Sequence, residues 1–505
     1  MLLVGILTLG ACGQNGNGSD VAGQQEQSQV TESQTRENAD KQEQGLPVVS
    51  VETLTAERYT EDGETMLSQV TIDSVTLSGA GFEKAAEAVE RLLHKSQSEI
   101  DSTADELADM AIDQYQFEKE SGYDYFSAYS EYTSYGIGRL DEKVLSLNAF
   151  SYDYTGGAHG YGAEYGINID LERGVELELP HLATDPNGFL NCATEVILAD
   201  LAGREEELFP EYKEYIKEGL DQVGWYLDAA GIEFTFSPYE IGPYASGTII
   251  VCVPYESVAE YLKPEFAGLQ GAGVAKVPMD ETVSLSLGAD GVSGSLSCSV
   301  VPVGDYGYDT ILNLNGAETT IGDDVYMTTM YLLEKPGGRT FFVYCYDWAS
   351  DDYETKICDI SSGKPVETDA LFAQLDSSNM GADRLSCSHI LQVFGTRGAR
   401  MEYTLSEEGT LEAMSPIFEF PEYAGRPALT LIRDLPVWVD GKETALSAGN
   451  QIYITKTDDV GIAWFETVDG TMSGEIHYVR PDDDYQLYVN DLSEYEYFEA
   501  LPYAG

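Results

Sequence analysis

The chain has 505 residues, with 27 Lys and Arg against 88 Asp and Glu, for a formal net charge of −61. Binding to phosphate backbones needs a basic footprint, so this balance excludes DNA and RNA as partners. It also disfavours contact with anionic lipid or wall polymer and draws in cationic partners. Hydrophobic residues make up 43% of the chain, enough for several cores, and at roughly 100–200 residues per domain the length implies about two to four domains.

Residues 1–9 are a short apolar run, followed by Leu9-Gly-Ala-Cys12 and then polar sequence. Small residues before a cysteine fit a signal-peptidase site, and the thiol of Cys12 then accepts a diacylglyceryl group. Two or more acyl chains give stable anchoring where one gives only reversible binding. The first basic residue is Arg36. A secretory leader starts positively charged, so the true translation start is expected further upstream. No other run reaches the roughly 18 apolar residues of a membrane span. The expected location is extracytoplasmic, with Cys12 lipid-anchored to the outer leaflet of the cytoplasmic membrane. Residues 13–46 are rich in Gln, Glu, Asn, Ser and Gly; they bury too little to offset their ordering entropy and read as a flexible tether.

Strands are expected at 48–54 and 66–77. An amphipathic helix follows at 82–94, with Phe82, Ala85, Ala86, Val89, Leu92 and Leu93 on one stripe, and a second at 99–120. Residues 123–135 and 143–154 alternate with period two. A glycine-dense loop, Thr155-Gly-Gly-Ala-His-Gly-Tyr-Gly162, comes next, then a hairpin of 165–170 and 175–179. Helices are expected at 187–201 and 209–223, strands of one sheet at 225–227, 232–237 and 248–254, and a closing helix at 256–262. From about 268 helical periodicity stops. Strands are expected at 283–287, 295–300, 310–314, 327–333, 340–346, 356–360, 390–394 and 401–405. Residues 427–505 read as a small separate barrel.

Apart from Cys12, six cysteines remain and none forms a C-x-x-C pair, so zinc-ribbon and thioredoxin readings fail. Buried free thiols are expected for most, with a Cys345–Cys358 hairpin bridge as the alternative. The five histidines are all at least twenty positions apart, too scattered for a close metal-binding pair. There is no H-E-x-x-H, G-x-S-x-G or Walker loop. Asp351-Asp352 and Asp482-Asp-Asp484 read as solvated turns rather than calcium sites. No catalytic residue, metal or cofactor is assigned.

Residues 47–265 resemble the extracytoplasmic domain pair of PdaC-type polysaccharide deacetylases and of RsiV-type anti-sigma factors. The resemblance is carried by Tyr154-Thr-Gly-Gly-Ala-His-Gly160, Tyr165-Gly-Ile-Asn-Ile-Asp170 and Phe234-Thr-Phe-Ser-Pro-Tyr-Glu-Ile-Gly-Pro-Tyr-Ala-Ser-Gly247. It implies a sensor-like module, and from the anti-sigma factors a ligand such as lysozyme. Residues 427–505 resemble a bacterial SH3-type barrel, on Gly449 before a β run and Asp469-Gly470 before Gly474, with Gly474-Glu475 where a Gly-Trp is usual; such barrels often bind wall peptides.

The fold expected is multidomain: an α+β N-terminal module, an all-β segment and a small SH3-like β-barrel. Boundaries are placed at 1–12 (leader), 13–46 (tether), 47–160 and 161–265 (the domain pair), 266–425 (all-β) and 426–505 (barrel). The candidate partner-binding residues are Gly156, Gly157, His159, Tyr161, Tyr239, Glu240 and Tyr244. The leading function is a non-catalytic binding protein for lysozyme or another cationic protein. The alternatives are a peptidoglycan-associated scaffold acting through the terminal barrel, and an unrecognised hydrolase. A spacer histidine and a tyrosine-proline corner bracing the sheet are the structural alternatives for the two motifs.

Overall fold

The computed structural model describes residues 45–123, 125–288, 291–304, 307–348, 352–421, 427–481 and 486–503. Cys12 and most of the tether, together with Asp351 and Asp482–Asp484, lie outside them, as does the boundary placed at 425/426.

Two long strands open the fold, β1 (Val48–Tyr59) and β2 (Met66–Ser78), paired antiparallel along nearly their whole length. Helix α1 (Glu83–Leu93) buries Ala85, Ala88, Val89 and Leu93. Helix α2 (Gln97–Glu120) starts where Glu99 reaches back to the Ser96 amide, 2.8 Å away, half of a capping box. It buries Ile100, Ala104, Leu107 and Ala111 against Val70 and Ile72 of β2. The next strand, β3 (Tyr129–Leu140), begins later than its aromatic alternation predicts. Tyr123 is instead spent closing α2, its amide bonding to the Glu118 carbonyl at 3.1 Å. Strand β3 lies parallel to β2 and continues antiparallel through β4 (Val144–Tyr154), β5 (Tyr161–Asp170) and β6 (Val175–Glu176). The boundary placed at 160/161 therefore falls in the connection of a hairpin, and one sheet runs through it.

Asp185 caps α3 (Pro186–Asp200), accepting the Gly188 amide at 3.1 Å, with Pro186 at the first helical position. After α4 (Tyr212–Gly219) come β7 (Gly224–Leu227), β8 (Gly231–Phe236) and β9 (Ile249–Pro254), a three-stranded sheet as expected, and the short α5 (Tyr255–Val258). These elements share one core with Phe189, Ile197, Ile232, Phe234 and Val251. The backbone of β7 lies directly on β5. Asn168 donates to the Trp225 carbonyl at 2.8 Å, and the Leu227 amide donates to Ser146 at 2.6 Å. Gly166 leaves no room there for a side chain.

Strand β10 (Gly273–Lys276) carries the same sheet from β3 to the strand at Met327–Glu334. A separate four-stranded sheet follows: β11 (Thr282–Leu287), β12 (Val292–Val303), β13 (Gly307–Leu314) and β14 (Ala317–Val325), in that spatial order. Then come β15 (Met327–Glu334), β16 (Thr340–Asp347), β17 (Tyr353–Asp359) and β18 (Val366–Leu371). Alternate residues of β16 enter different cores. Phe341, Val343 and Cys345 join Val49, Val75 and Leu147, while Phe342, Tyr344 and Tyr346 face the four-stranded sheet. A strand buried on both faces reads as a continuous apolar run. Residues on either side of the 265/266 boundary thus share a core. Cys345 and Cys358 enter opposite faces of this sheet, so no bridge joins them, and the six described cysteines are free thiols.

Strands β19 (Gln374–Gly381), β20 (Arg384–Gln392), β21 (Thr396–Leu405), β22 (Leu411–Ala413) and β23 (Phe418–Glu419) lead onward. The expected strand at 390–394 is cut short. Phe394 has φ +50° and lies fully buried with Val393 as the anchor of a turn, while Ile390 is exposed. The last portion comprises β24 (Leu429–Thr430), β25 (Leu435–Val439), β26 (Lys442–Leu446), β27 (Gln451–Thr457), β28 (Ile462–Thr467) and β29 (Ser473–His477). The expected barrel is not found closed among the described residues. Strand β26 is exposed except at Leu446 and pairs only with β25. The far edge of the unit is taken by β23, which links β27 to β21. The ladder β27–β28–β29–β25 turns back at β24, which pairs β27 again, while β23 also ties β27 to the preceding strands. Across the described residues the fold is mostly β with a helical segment.

Candidate functional site

The glycine loop joins β4 to β5, and its glycines answer separate demands. Gly156 has φ +96°, and a Cβ there would meet the Tyr129 hydroxyl at 2.9 Å. Gly157 has φ +94° with open space around it, a conformation that strains any side-chain-bearing residue. Gly160 lies against the Tyr152 ring and the Asp153 carbonyl, where a Cβ would not fit. The Tyr154 hydroxyl donates to the Gly157 carbonyl at 3.2 Å, and the His159 Nδ1 lies 2.9 Å from the Gly160 carbonyl. These constraints hold the His159 ring out at the surface, where it is exposed.

The second motif leaves the end of β8. Thr235 and Ser237 hydroxyls bond to the Glu164 carbonyl of β5, at 2.9 and 3.5 Å. Tyr239 then adopts φ +75°, a conformation rare for a bulky residue. It is held by a 2.9 Å bond from its amide to the Gly242 carbonyl. Glu240 is fully engaged: one oxygen takes the Ser237 amide at 2.7 Å and the other the Tyr215 hydroxyl at 3.1 Å. Burial, and then the Glu240 carboxylate, push Tyr215 up to about 12. Glu240 is thereby a brace between the bend and α4. Tyr161, 44% exposed, lies close enough to Tyr215 to contribute to that shift.

The two motifs, some eighty positions apart, meet directly. The rings of His159 and Tyr244 stack at 3.9 Å between centroids, 20° from parallel. Tyr239, 53% exposed, lies 6.0 Å beyond Tyr244. Sequence reasoning missed the aromatics that extend this surface along the sheet. Tyr132 and Phe150 pack at 6.1 Å and are both exposed, and Phe150 and Tyr152 flank Gly162. Their signal was the period-two pattern at 123–135 and 143–154, which places even-numbered residues of β4 on one face. The remaining histidines are used locally. His94 lies 3.2 Å from Ser74, His181 accepts the Glu178 amide at 3.0 Å, His389 lies 2.8 Å from the Tyr403 hydroxyl, and His477 lies 3.0 Å from Glu475. Among the described residues, no three His, Cys, Asp or Glu side chains gather as metal ligands.

Residues 64–161 match the family described as "Deacetylase PdaC", and residues 200–256 match that described as "Protein of unknown function (DUF3298)". The glycine loop closes the first matched segment and the tyrosine bend lies in the second, so the His159–Tyr244 stack joins the two. The pair of domain types read from these motifs is therefore present. The SH3-type resemblance of 427–505 finds no counterpart among these matches. Among solved structures, a DUF3298 family member from Bacteroides fragilis is 18% identical, covering 43% of this chain and 95% of its own, at a TM-score of 0.33. A DUF3298 family protein from Pseudomonas aeruginosa is 18% identical, covering 44% and 98%, at 0.31. The apo isopeptidase AtxE2 is 11% identical, covering 81% and 58%, at 0.21. No curated protein matches the chain.

Proposed function

We propose that this chain is an extracytoplasmic binding protein, lipid-anchored through Cys12, that captures a cationic protein such as lysozyme on the aromatic surface around His159 and Tyr244. The observation that carries the reading is the stack of the exposed His159 ring on the half-buried Tyr244 ring. It builds one recognition surface from loops of both matched segments. Tyrosines bring large contact area at low entropy cost, and Tyr132, Tyr161 and Tyr239 stand exposed on this part of the fold. The net charge of −61 supports a cationic partner through faster encounter.

Interferometry of the full chain against immobilised lysozyme at physiological salt tests this. Truncating an aromatic anchor typically costs about 2 kcal/mol or more, so Tyr244→Ala should weaken binding by about 30-fold. His159→Ala should act in the same direction, and affinity should fall as salt rises. Absence of binding, or unchanged affinity in both variants, rejects the assignment. Co-pelleting with purified sacculi, abolished by removing residues 427–505, would favour the scaffold reading instead.

A further inference from the structure

A groove of about 1200 Å³ lies between α5, the 267–269 link and β11. Residues 280–286 all line it without a gap. Successive side chains of a strand point to opposite faces, so the groove reaches both faces of this strand, and it continues past it to Ser293, Gly294 and Ser295 of the paired β12. Strand β11 is the terminal strand of its sheet. The outward direction of its polar groups follows from its partner. Ser295 receives the Asn315 amide on its carbonyl and gives its own amide to the Asn315 side chain, both at 2.9 Å. Its backbone therefore faces β13. In an antiparallel ladder the residue opposite such a position has its N–H and C=O turned away from the pair. That residue is Ser284, and alternation adds Thr282 and Ser286. None of the three has a further backbone partner among the described residues. Such a row of donors and acceptors is a template for an added strand.

The charge of the walls selects the occupant. Glu256, Asp280, Glu281 and Glu334 line the groove, and no Lys, Arg or His does. Thr340, paired across the ladder with Glu334, also lines it, is 5% exposed, and has an Oγ1 with no hydrogen-bond partner. A buried hydroxyl left unsatisfied is costly, and a polar ligand end reaching the floor would relieve it.

We propose that this groove binds an extended peptide segment bearing Lys or Arg, added as a strand to the free edge of β11, with its cationic side chains facing Glu256, Glu281 and Glu334. This is β-strand addition, in which main-chain bonds give affinity and flanking side chains give specificity. The site is separate from the His159 surface, and its success or failure is independent of the lysozyme assay.

Fluorescence anisotropy of a labelled Lys-Val-Lys-Val-Lys-Val-Lys peptide with the full chain tests it. Saturable binding is expected. Methylating alternate backbone nitrogens of the peptide should weaken it about tenfold or more, since each methyl removes a main-chain donor to the edge. Ser284→Pro removes an outward N–H without removing a β11–β12 ladder bond and should weaken binding similarly, whereas Ser284→Ala, which removes only the hydroxyl bonded to Glu256, should not. The Glu256→Gln, Glu281→Gln, Glu334→Gln triple variant should do the same, and the peptide with Glu in place of Lys should not bind. The proposal is overturned if the methylated peptide binds as the parent does, if the Glu peptide binds equally, or if Ser284→Pro and the triple variant are both unaffected. It is also overturned if sedimentation shows a dimer of the chain that Ser284→Pro abolishes, since the edge would then serve a second copy.

Discussion

Gly166→Ala tests how the two matched segments are held in register. Gly166 lies on β5, where β7 crosses it backbone to backbone. A Cβ there would overlap the Trp225 carbonyl and come within 2.9 Å of the Tyr226 amide nitrogen. Neither obstacle can rotate away, so β7 itself must lift. Overpacking costs about 1–3 kcal/mol, and a rigid backbone obstacle puts this site at the upper end. Lifting β7 strains the Asn168 and Ser146 bonds and moves β8, from which the 237–247 bend hangs. Hydrogen exchange of the full chain, read on peptides covering 224–236, reports local opening. A 3 kcal/mol loss corresponds to about 150-fold lower protection. Gly136→Ala is the control: that residue is also in the sheet, with ordinary φ and nothing within 4 Å of a new Cβ. It should be neutral or slightly stabilising. Protection within about threefold of wild type for Gly166→Ala, or an equal loss for Gly136→Ala, would refute the crossing as the seat of the coupling. The same variant should also weaken partner binding, because His159 would lose Tyr244.

Two further outcomes follow from buried charge. Arg139 is fully buried, donating to Asp141 at 2.7 Å and to the carbonyls of Phe266 and Glu265 at 3.0 and 3.1 Å. Arg139→Met should cost about 3–5 kcal/mol in urea denaturation, because Asp141 is left buried without its counter-charge; a loss below about 1 kcal/mol would show that water replaces the guanidinium. Burial, then Asp141, raises Glu334 from 4.5 to about 7, and burial raises Asp228 to about 6. Between their ordinary and their shifted values both hold protons in the native state that the unfolded chain releases, so they contribute stability that is full below their ordinary values and declines as pH rises through the shifted ones. Denaturation midpoints between pH 5 and pH 7.5 should therefore fall less in Glu334→Gln than in wild type, and parallel profiles would show that Glu334 titrates normally.

Much of the site was legible from residue type. Gly156 and Gly157 were recognisable as positions needing unusual backbone freedom, and the structure gives both φ near +95°. Glu240 was misleading, because a carboxylate in an aromatic bend looks available until its two hydrogen-bond partners are known. Strands β14, β18 and β19 escaped notice because Ala317–Val325, Val366–Leu371 and Gln374–Gly381 carry little apolar alternation; their few core residues, such as Ile321, Val325, Leu375 and Met380, are not spaced two apart along a strand. The opposite error arose at 390–394, where apolar residues anchor a turn.

Local chemistry in the chain was enough to determine the long helices, their caps, the strands of the β7–β9 sheet and the glycine loop, since each depends on neighbours a few positions away. Only the tertiary structure decided that β16 faces two cores, that β23 ties the last strands to β21, and that His159 lies on Tyr244. Those outcomes rest on contacts between residues tens to hundreds of positions apart. Periodicity shows that a strand has an apolar face, but not which surface will cover it.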